Sequence, residues 1–342
     1  MKKIKKNKSN HKFIKILLIL FSCGVLSLVF LFYGPWSGFR NFWITTAMTT
    51  LNHQYLATYL YSEETINRVL EENRVIPPDE DIDMDLIEIN DKESGNIIYK
   101  DEYDRQVLEH EEGEIYKYFK VEGYNFDAYM AVIYDPSKVE VVTSKYLGSK
   151  GQYLVDMAKE NNAVVAINGG GFIDPEGEGN GGIATGIVIK NGQIIQGSSA
   201  GTGLIGFTND NKLYLGYISA NEAIRIGIRD AIEFGPFLIV NGKSSFIKGN
   251  GGYGIHPRSA IGQRQDGIVL FLVIDGRRID SVGASMKDVN DIMLKYGAYN
   301  AANLDGGNSS VLVINNKIVN RPIDWYQQEQ TRPIATGFIV KK

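Results

Sequence analysis

Asn300-Ala301-Ala302-Asn303-Leu304-Asp305-Gly306-Gly307-Asn308-Ser309-Ser310 is an apolar run that ends on an acid, two glycines and two hydroxyls. A strand through this run delivers Asp305 as a fixed carboxylate, while Gly306 and Gly307 let the backbone turn sharply and let a ligand approach it closely. Directly after it, 312–319 reads as a β-hairpin turning on Asn315-Asn316,. The same grammar recurs upstream. Residues 187–195 form a hairpin around Asn191-Gly192, and 237–242 and 261–270 are further apolar runs with turn residues. Helical spacing is rarer: 151–161, and 286–296 with Ser285 and Asp288 as a capping box and Gly297 as the stop,. Strands that outnumber helices without alternating with them predict an α+β fold, a strand-rich mixed-sheet domain with a few helices over 115–342.

The two helices also expose an internal echo. Each precedes a short apolar strand, a glycine pair and a hairpin, so that Asn168 in Ala166-Ile167-Asn168-Gly169-Gly170 takes the place of Asp305. This predicts two supersecondary units that face each other and bring Asn168 and Asp305 to one cleft.

Upstream of this domain the composition changes. Of the 36 Lys and Arg residues, seven lie at Lys2, Lys3, Lys5, Lys6, Lys8, Lys12 and Lys15, leaving 29 positive against 40 negative charges in the rest. A folded part so acidic excludes a nucleic-acid partner, which requires a positive face. One cysteine, Cys23, excludes an internal disulfide and a cysteine metal cluster,. After the basic tip (1–15), the uncharged run 16–33 is long enough to cross a bilayer as a helix. The positive-inside rule then puts the N-terminus in the cytoplasm and everything after Tyr33 on the extracytoplasmic face, a single-pass arrangement with Trp36, Phe39, Phe42 and Trp43 as an aromatic belt. A cleaved signal peptide is the competing reading, but no small-x-small site follows the run. Residues 34–76 read as a juxtamembrane helical stalk with Ser62 capping its second helix, and 77–114 as an acidic linker opened by Pro77-Pro78,. Asp81, Asp83 and Asp85 imitate a calcium loop, yet Leu86 and Lys92 stand where its glycine and glutamate belong.

Six blocks of the C-terminal domain occur in one order: 166–172, 186–189, Arg258-Ser259-Ala260-Ile261-Gly262, Ile274-Asp275-Gly276-Arg277, 303–307, and Arg332-Pro333-Ile334-Ala335-Thr336. In this the chain resembles the phosphodiester glycosidase family, whose bacterial members include exopolysaccharide biosynthesis proteins. The resemblance covers roughly 127–342 and departs at Gly171, where the family pattern has an aromatic residue.

It implies a hydrolase acting on sugar-1-phosphodiesters, with no cofactor and no obligatory metal. The leaving phosphate is a weak base, so the two-carboxylate scheme of glycosidases relaxes to one carboxylate at the anomeric carbon or its water, plus a cationic clamp. Asp305 is expected as nucleophile or base, and Asp275 as the second carboxylate, either as acid/base or bonding sugar hydroxyls. Arg258 is expected to clamp the phosphate and Asn168 to orient a sugar hydroxyl. The Gly169 and Gly170 amides are expected to bind phosphate or an oxyanion, with Asn303, Gly306, Gly307, Ser309 and Arg332 completing the binding set. Arg277, Arg278 and His256 flank the same blocks. The 174–186 segment, with Glu176, Gly177, Glu178, Gly179, Gly181 and Gly182, reads as a mobile loop over the cleft. A noncatalytic glycan-binding or assembly protein, or a phosphosugar transferase, would use the same residues. The expected partners are therefore a glycan or sugar-phosphate substrate and, through the N-terminal helix, a membrane.

Overall fold

The computed structural model describes residues 8–50, 53–89, 98–174, 179–197, 201, 203–324 and 327–342. The first part of the basic tip, Lys92 of the calcium-like stretch, and Glu176, Gly177 and Glu178 of the glycine-rich segment lie outside the described residues. The chain divides into two compact units, 1–71 and 72–342.

In the first unit a helix spans Lys8–Tyr33, and its stretch Lys12–Tyr33 is long and apolar enough to cross a bilayer, with none of it buried. Such a helix is compatible with a single-pass anchor or with a signal sequence. Helices Ser37–Met48, Tyr55–Thr58 and Glu63–Glu72 follow. The last begins where the sequence predicts, with the Thr65 amide donating to the Ser62 hydroxyl at 3.3 Å. Ile44, Ala47, Ala57, Ile66 and Val69 form a small core, against which Phe32, Trp43 and Leu56 pack. Trp43, expected in an aromatic belt, donates its indole N–H to the Leu56 carbonyl at 2.9 Å and stacks on Phe39.

In the second unit the α+β class holds, and the strand pairings among the described residues are antiparallel throughout, which refines the mixed sheet expected. A seven-stranded sheet runs in the order Lys243–Ser244, Phe237–Val240, Ala298–Leu304, Arg258–Arg264, Val269–Ile274, Asp127–Ile133, Tyr116–Glu122. One five-stranded sheet is ordered Lys317–Ile318, Leu312–Ile314, Ala163–Asn168, Thr336–Lys341, Val139–Thr143. Another contains Leu204–Thr208, Ile228–Glu233 and the hairpin Val188–Lys190 with Gln193–Gln196. The hairpins form as read. Asn191 and Gly192, Asn241 and Gly242, and Asn315 and Asn316 all carry positive φ, the backbone that two-residue hairpin turns demand,.

The seven-stranded sheet is covered on both faces. Ala131, Ile261, Phe271 and Leu304 join a core shared with Ile167, Phe207 and Phe338 of the other sheets. Met130, Ala260, Leu272 and Ala301 pack on the other side against Met286, Val289 and Met293 of helix Met286–Lys295. Two-sided burial is why Val269–Ile274 is apolar at every position instead of alternating,. The helix carries the predicted capping box, and Gly297 follows its end with a φ of 80°.

Within 77–114, expected as a linker, described residues dock on this unit. The Asp83 amide donates to Asn241 Oδ1 at 2.8 Å, and Ile87 is fully buried. Helix Glu102–Leu108 is tied down by Asp104, which meets Arg264 at 2.9 Å. Acidic composition suggested solvation, but the apolar residues spaced between the acids dock.

Candidate active site

Strands Ala298–Leu304 and Ala163–Asn168 lie in different sheets, and their C-terminal ends meet. The Asp305 amide donates to the Gly169 carbonyl at 3.0 Å. Asn168 Nδ2 donates to the Asp305 carbonyl at 2.6 Å, while its Oδ1 accepts the Ser259 hydroxyl at 2.7 Å and the Val311 amide at 3.2 Å. The two echoed units thus do face each other. Asn168, however, is 1% exposed and its amide is committed to protein groups, so it holds Asp305 in place and does not face a substrate. Asn168→Ala would leave a buried carbonyl, amide and hydroxyl short of partners at about 1–3 kcal/mol each. The expected result is a melting point several degrees lower together with at least a tenfold loss of any turnover, read by calorimetry and kinetics.

The glycine run has a similar outcome. The Gly169 amide donates to the Thr336 carbonyl at 2.9 Å and the Gly170 amide to the Thr336 hydroxyl at 3.1 Å, so neither is left for an anion. At Gly171 a Cβ would stand 3.0 Å from the Phe234 ring and 2.9 Å from the Thr185 hydroxyl. Phe234 and Thr185 thus leave no room for a side chain at this position without a shift.

Around Asp305 the residues divide into those that face it and those that support it. Arg332 donates from Nε to the Ser309 hydroxyl at 2.8 Å and from Nη2 to Asp305 Oδ2 at 3.3 Å. Its guanidinium lies over the Phe172 ring, 4.6 Å from the centroid, a cation–π contact that fixes the fork,. The Asp305 and Arg332 side chains are 18% and 22% exposed, open enough to meet a ligand.

Arg277 closes the other side. Its backbone is left-handed, with φ 63°, and its Nη2 lies 3.0 Å from where a Cβ on Gly307 would be. Gly307 itself has a φ of 61°, so glycine there meets both the turn and the approaching guanidinium. Among the described residues the Arg277 guanidinium has no hydrogen-bond or salt-bridge partner. Burial pushes its pKa down and Arg332 adds to this, while Asp324 and Asp305 oppose. Asp324, buried and accepting the Gln328 amide at 2.8 Å, carried no signal in the sequence.

Arg258, expected to be the phosphate clamp, is 5% exposed and serves the backbone: Nε donates to the Ala284 carbonyl at 3.0 Å, and Nη2 to Tyr253 and Gly254 carbonyls at 2.7 and 2.8 Å. Burial pushes its pKa down to about 10, so it stays cationic at neutral pH. Arg258→Met would strand those carbonyls. We expect a loss of about 3 kcal/mol, seen as a melting point lower by about 6–12 °C.

Asp275 is likewise enclosed. Its carboxylate, 1% exposed, accepts Asn320 Nδ2 at 2.8 Å, the Arg321 amide at 3.0 and 2.9 Å, and Arg278 Nη1 at 3.3 Å. Burial raises its pKa, and these donors pull it back. Arg278 continues to Asp127 and Asp280, which locks the loop that carries Arg277. Asn303 donates to the Gly235 carbonyl at 2.9 Å, the Gly307 amide to the Pro257 carbonyl at 2.9 Å, and His256 sits in a bridge with Ala284. A Cβ on Gly306 would be 2.8 Å from the Pro257 carbonyl oxygen. Among the described residues no group of three or more His, Cys, Asp or Glu side chains is placed to share a cation. One carboxylate beside two incompletely neutralised guanidinium groups is instead suited to an anion with a reacting carbon beside it.

A family model described as phosphodiester glycosidase matches residues 161–341, which include Asp305, Arg277 and Arg332. The chain belongs to the phosphodiester glycosidase family. It is 33% identical over 202 residues to the SPbeta prophage-derived uncharacterized protein YomE of Bacillus subtilis, covering 56% of this chain and 30% of that protein. It is 27% identical over 197 residues to the Bos taurus N-acetylglucosamine-1-phosphodiester alpha-N-acetylglucosaminidase, covering 52% of this chain and 36% of the enzyme. The chain thus spans about a third of the length of these two curated relatives. In fold it resembles the catalytic domain of the zebrafish N-acetylglucosamine-1-phosphodiester alpha-N-acetylglucosaminidase, with a TM-score of 0.56 at 20% identity, over 68% of this chain and 85% of that one.

Proposed function

We propose that this protein hydrolyses the bond between an anomeric carbon and the phosphate of a sugar-1-phosphodiester. The observation that carries the reading is Arg277, a partly buried cation without a hydrogen-bonding partner among the described residues, whose guanidinium lies against Gly307 in the turn where Arg332 meets Asp305. Two like charges held together, with one partly exposed carboxylate ion-paired to Arg332, cost free energy, and a bound phosphate offsets that cost,. Arg277 and Arg332 take the phosphate oxygens, and the Asp305 carboxylate attacks the anomeric carbon or deprotonates the water that does. The departing phosphate monoester needs no proton from an acid, because the arginines carry its charge. Asn168, Arg258, Asp275 and Arg278 position the backbone around these three groups, and Ser309 and Phe172 orient Arg332. Gly306 and Gly307 keep the approach to Asp305 clear.

In this proposal the helix Lys8–Tyr33 anchors the chain with its N-terminus in the cytoplasm. The domain then works outside on sugar-phosphate linkages of surface or exopolysaccharide glycans. The test is to incubate the full-length chain in detergent with sugar-1-phosphodiesters of several sugars and both anomers. Release of a reducing sugar and a phosphate monoester is expected from at least one. Transfer of the sugar phosphate to an acceptor hydroxyl, with no reducing end formed, would make it a transferase, and no reaction with any of them would leave a glycan-binding protein.

A further inference from the structure

Upstream of Asp305, the end of strand Ala298–Leu304 is flanked by aromatic side chains that the proposed hydrolysis does not use. Phe237 pairs with Ala302, and the neighbouring Pro236 carbonyl accepts the Asn303 amide at 3.0 Å. The Phe237 ring, 3% exposed, occupies the space left by Gly203, where a Cβ would lie 2.5 Å from it. Tyr217 covers this ring from outside, with centroids 5.0 Å apart and planes inclined by 45°. Tyr217 is itself 62% exposed.

The ring pair adjoins the Asp305 turn through Phe237, whose strand pairs with Ala298–Leu304 just before Asp305. Arg277 and Arg332 reach the same turn at Gly307 and Ser309.

A single exposed tyrosine needs no explanation. An exposed tyrosine seated on a buried ring whose strand runs beside the one that ends at Asp305 presents a flat π-face whose orientation is already settled. Such a face is negative at its centre and attracts positively polarised C–H groups. The axial C–H bonds on one face of a pyranose supply these, while the ring hydroxyls at the edge reach water.

We propose that Tyr217, backed by Phe237, is the stacking platform for the substrate's pyranose ring. The phosphate is then held at Asp305 by Arg277 and Arg332. This rests on the hydrolase reading and adds to it where the sugar lies and what selects it: a pyranose with one unobstructed C–H face.

The experiment uses full-length protein in detergent with the p-nitrophenyl phosphodiester of α-N-acetylglucosamine 1-phosphate and with inorganic phosphate as a sugar-free competitor. Tyr217→Ala is expected to raise KM about tenfold with kcat within threefold, and to leave phosphate inhibition and melting temperature unchanged. Tyr217→Phe keeps the π-face and should behave as the parent does. An unchanged KM in Tyr217→Ala overturns the platform while the hydrolase reading stands. If the parent does not turn the ester over, binding of the ester is followed by calorimetry. A tenfold loss of affinity in Tyr217→Ala then upholds the platform and removes only the hydrolase reading, whereas no binding by the parent overturns both.

Discussion

Arg277→Gly is expected to yield a protein that has lost sugar-phosphodiester turnover and yet melts above the parent. The two effects have separate causes. Arg277 holds a left-handed backbone, φ 63°, that an L-residue adopts at a cost of about 1–2 kcal/mol and glycine adopts freely,. Glycine gives back about 0.5–1 kcal/mol in chain entropy. Removing a partly buried cation that lacks a hydrogen-bonding partner and is repelled by Arg332 adds a further gain. The net should be about 1 kcal/mol, a rise of about 2–4 °C. Turnover, by contrast, loses a preformed charge aimed at the leaving phosphate, and kcat/KM should fall about 10²–10³-fold. Inhibition by inorganic phosphate should weaken in parallel. A lower melting point with turnover preserved would show Arg277 to be a structural residue.

Asp305→Asn should abolish turnover while leaving the fold as it is, with kcat lower by about 10³–10⁴. Asparagine has the same shape, and the backbone bonds that fix this turn, to Gly169 and from Asn168, do not involve the carboxylate. The substitution breaks the partly exposed ion pair with Arg332 at 3.3 Å, worth less than about 1 kcal/mol,. Freed of that carboxylate, the two arginines should hold inorganic phosphate more tightly, several-fold by calorimetry. This opposition separates an enzyme from a glycan-binding protein. A variant that keeps more than a tenth of parental kcat would remove Asp305 from the chemistry.

How much of this could be read in the chain depended on how locally each feature is encoded. Asn191-Gly192 and Asn315-Asn316 announce their hairpins because positive φ is a property of those residues themselves. Ser285 and Asp288 announce the helix Met286–Lys295 because a capping box closes within four residues. Asp305 was legible as an acid at the end of a strand. In the sequence Arg258 reads as the phosphate clamp and Arg277 only as a flanking residue, although each sits beside a strand end in a block of its own. Arg258 satisfies carbonyls at Tyr253, Gly254 and Ala284, the last 26 residues away in sequence, and Arg277 meets none among the described residues. Asp275 looked like a second catalytic acid until Asn320, Arg321 and Arg278 were seen to enclose it. The acids of 77–114 suggested a solvated linker and concealed Ile87, which docks on the domain.

By itself, then, the sequence determined the α+β class, the hairpins, the caps, a bilayer-length apolar helix and the carboxylate at residue 305. These follow from backbone preference and hydrophobic period, which act over a few residues. The tertiary structure decided which arginines have their hydrogen bonds taken up by the protein, that the Asn168 amide is committed to Asp305, Ser259 and Val311, and that Tyr217 is exposed against Phe237. Those outcomes depend on which polar groups find partners across sheets, and a partner more than a hundred residues away leaves no mark on the local sequence.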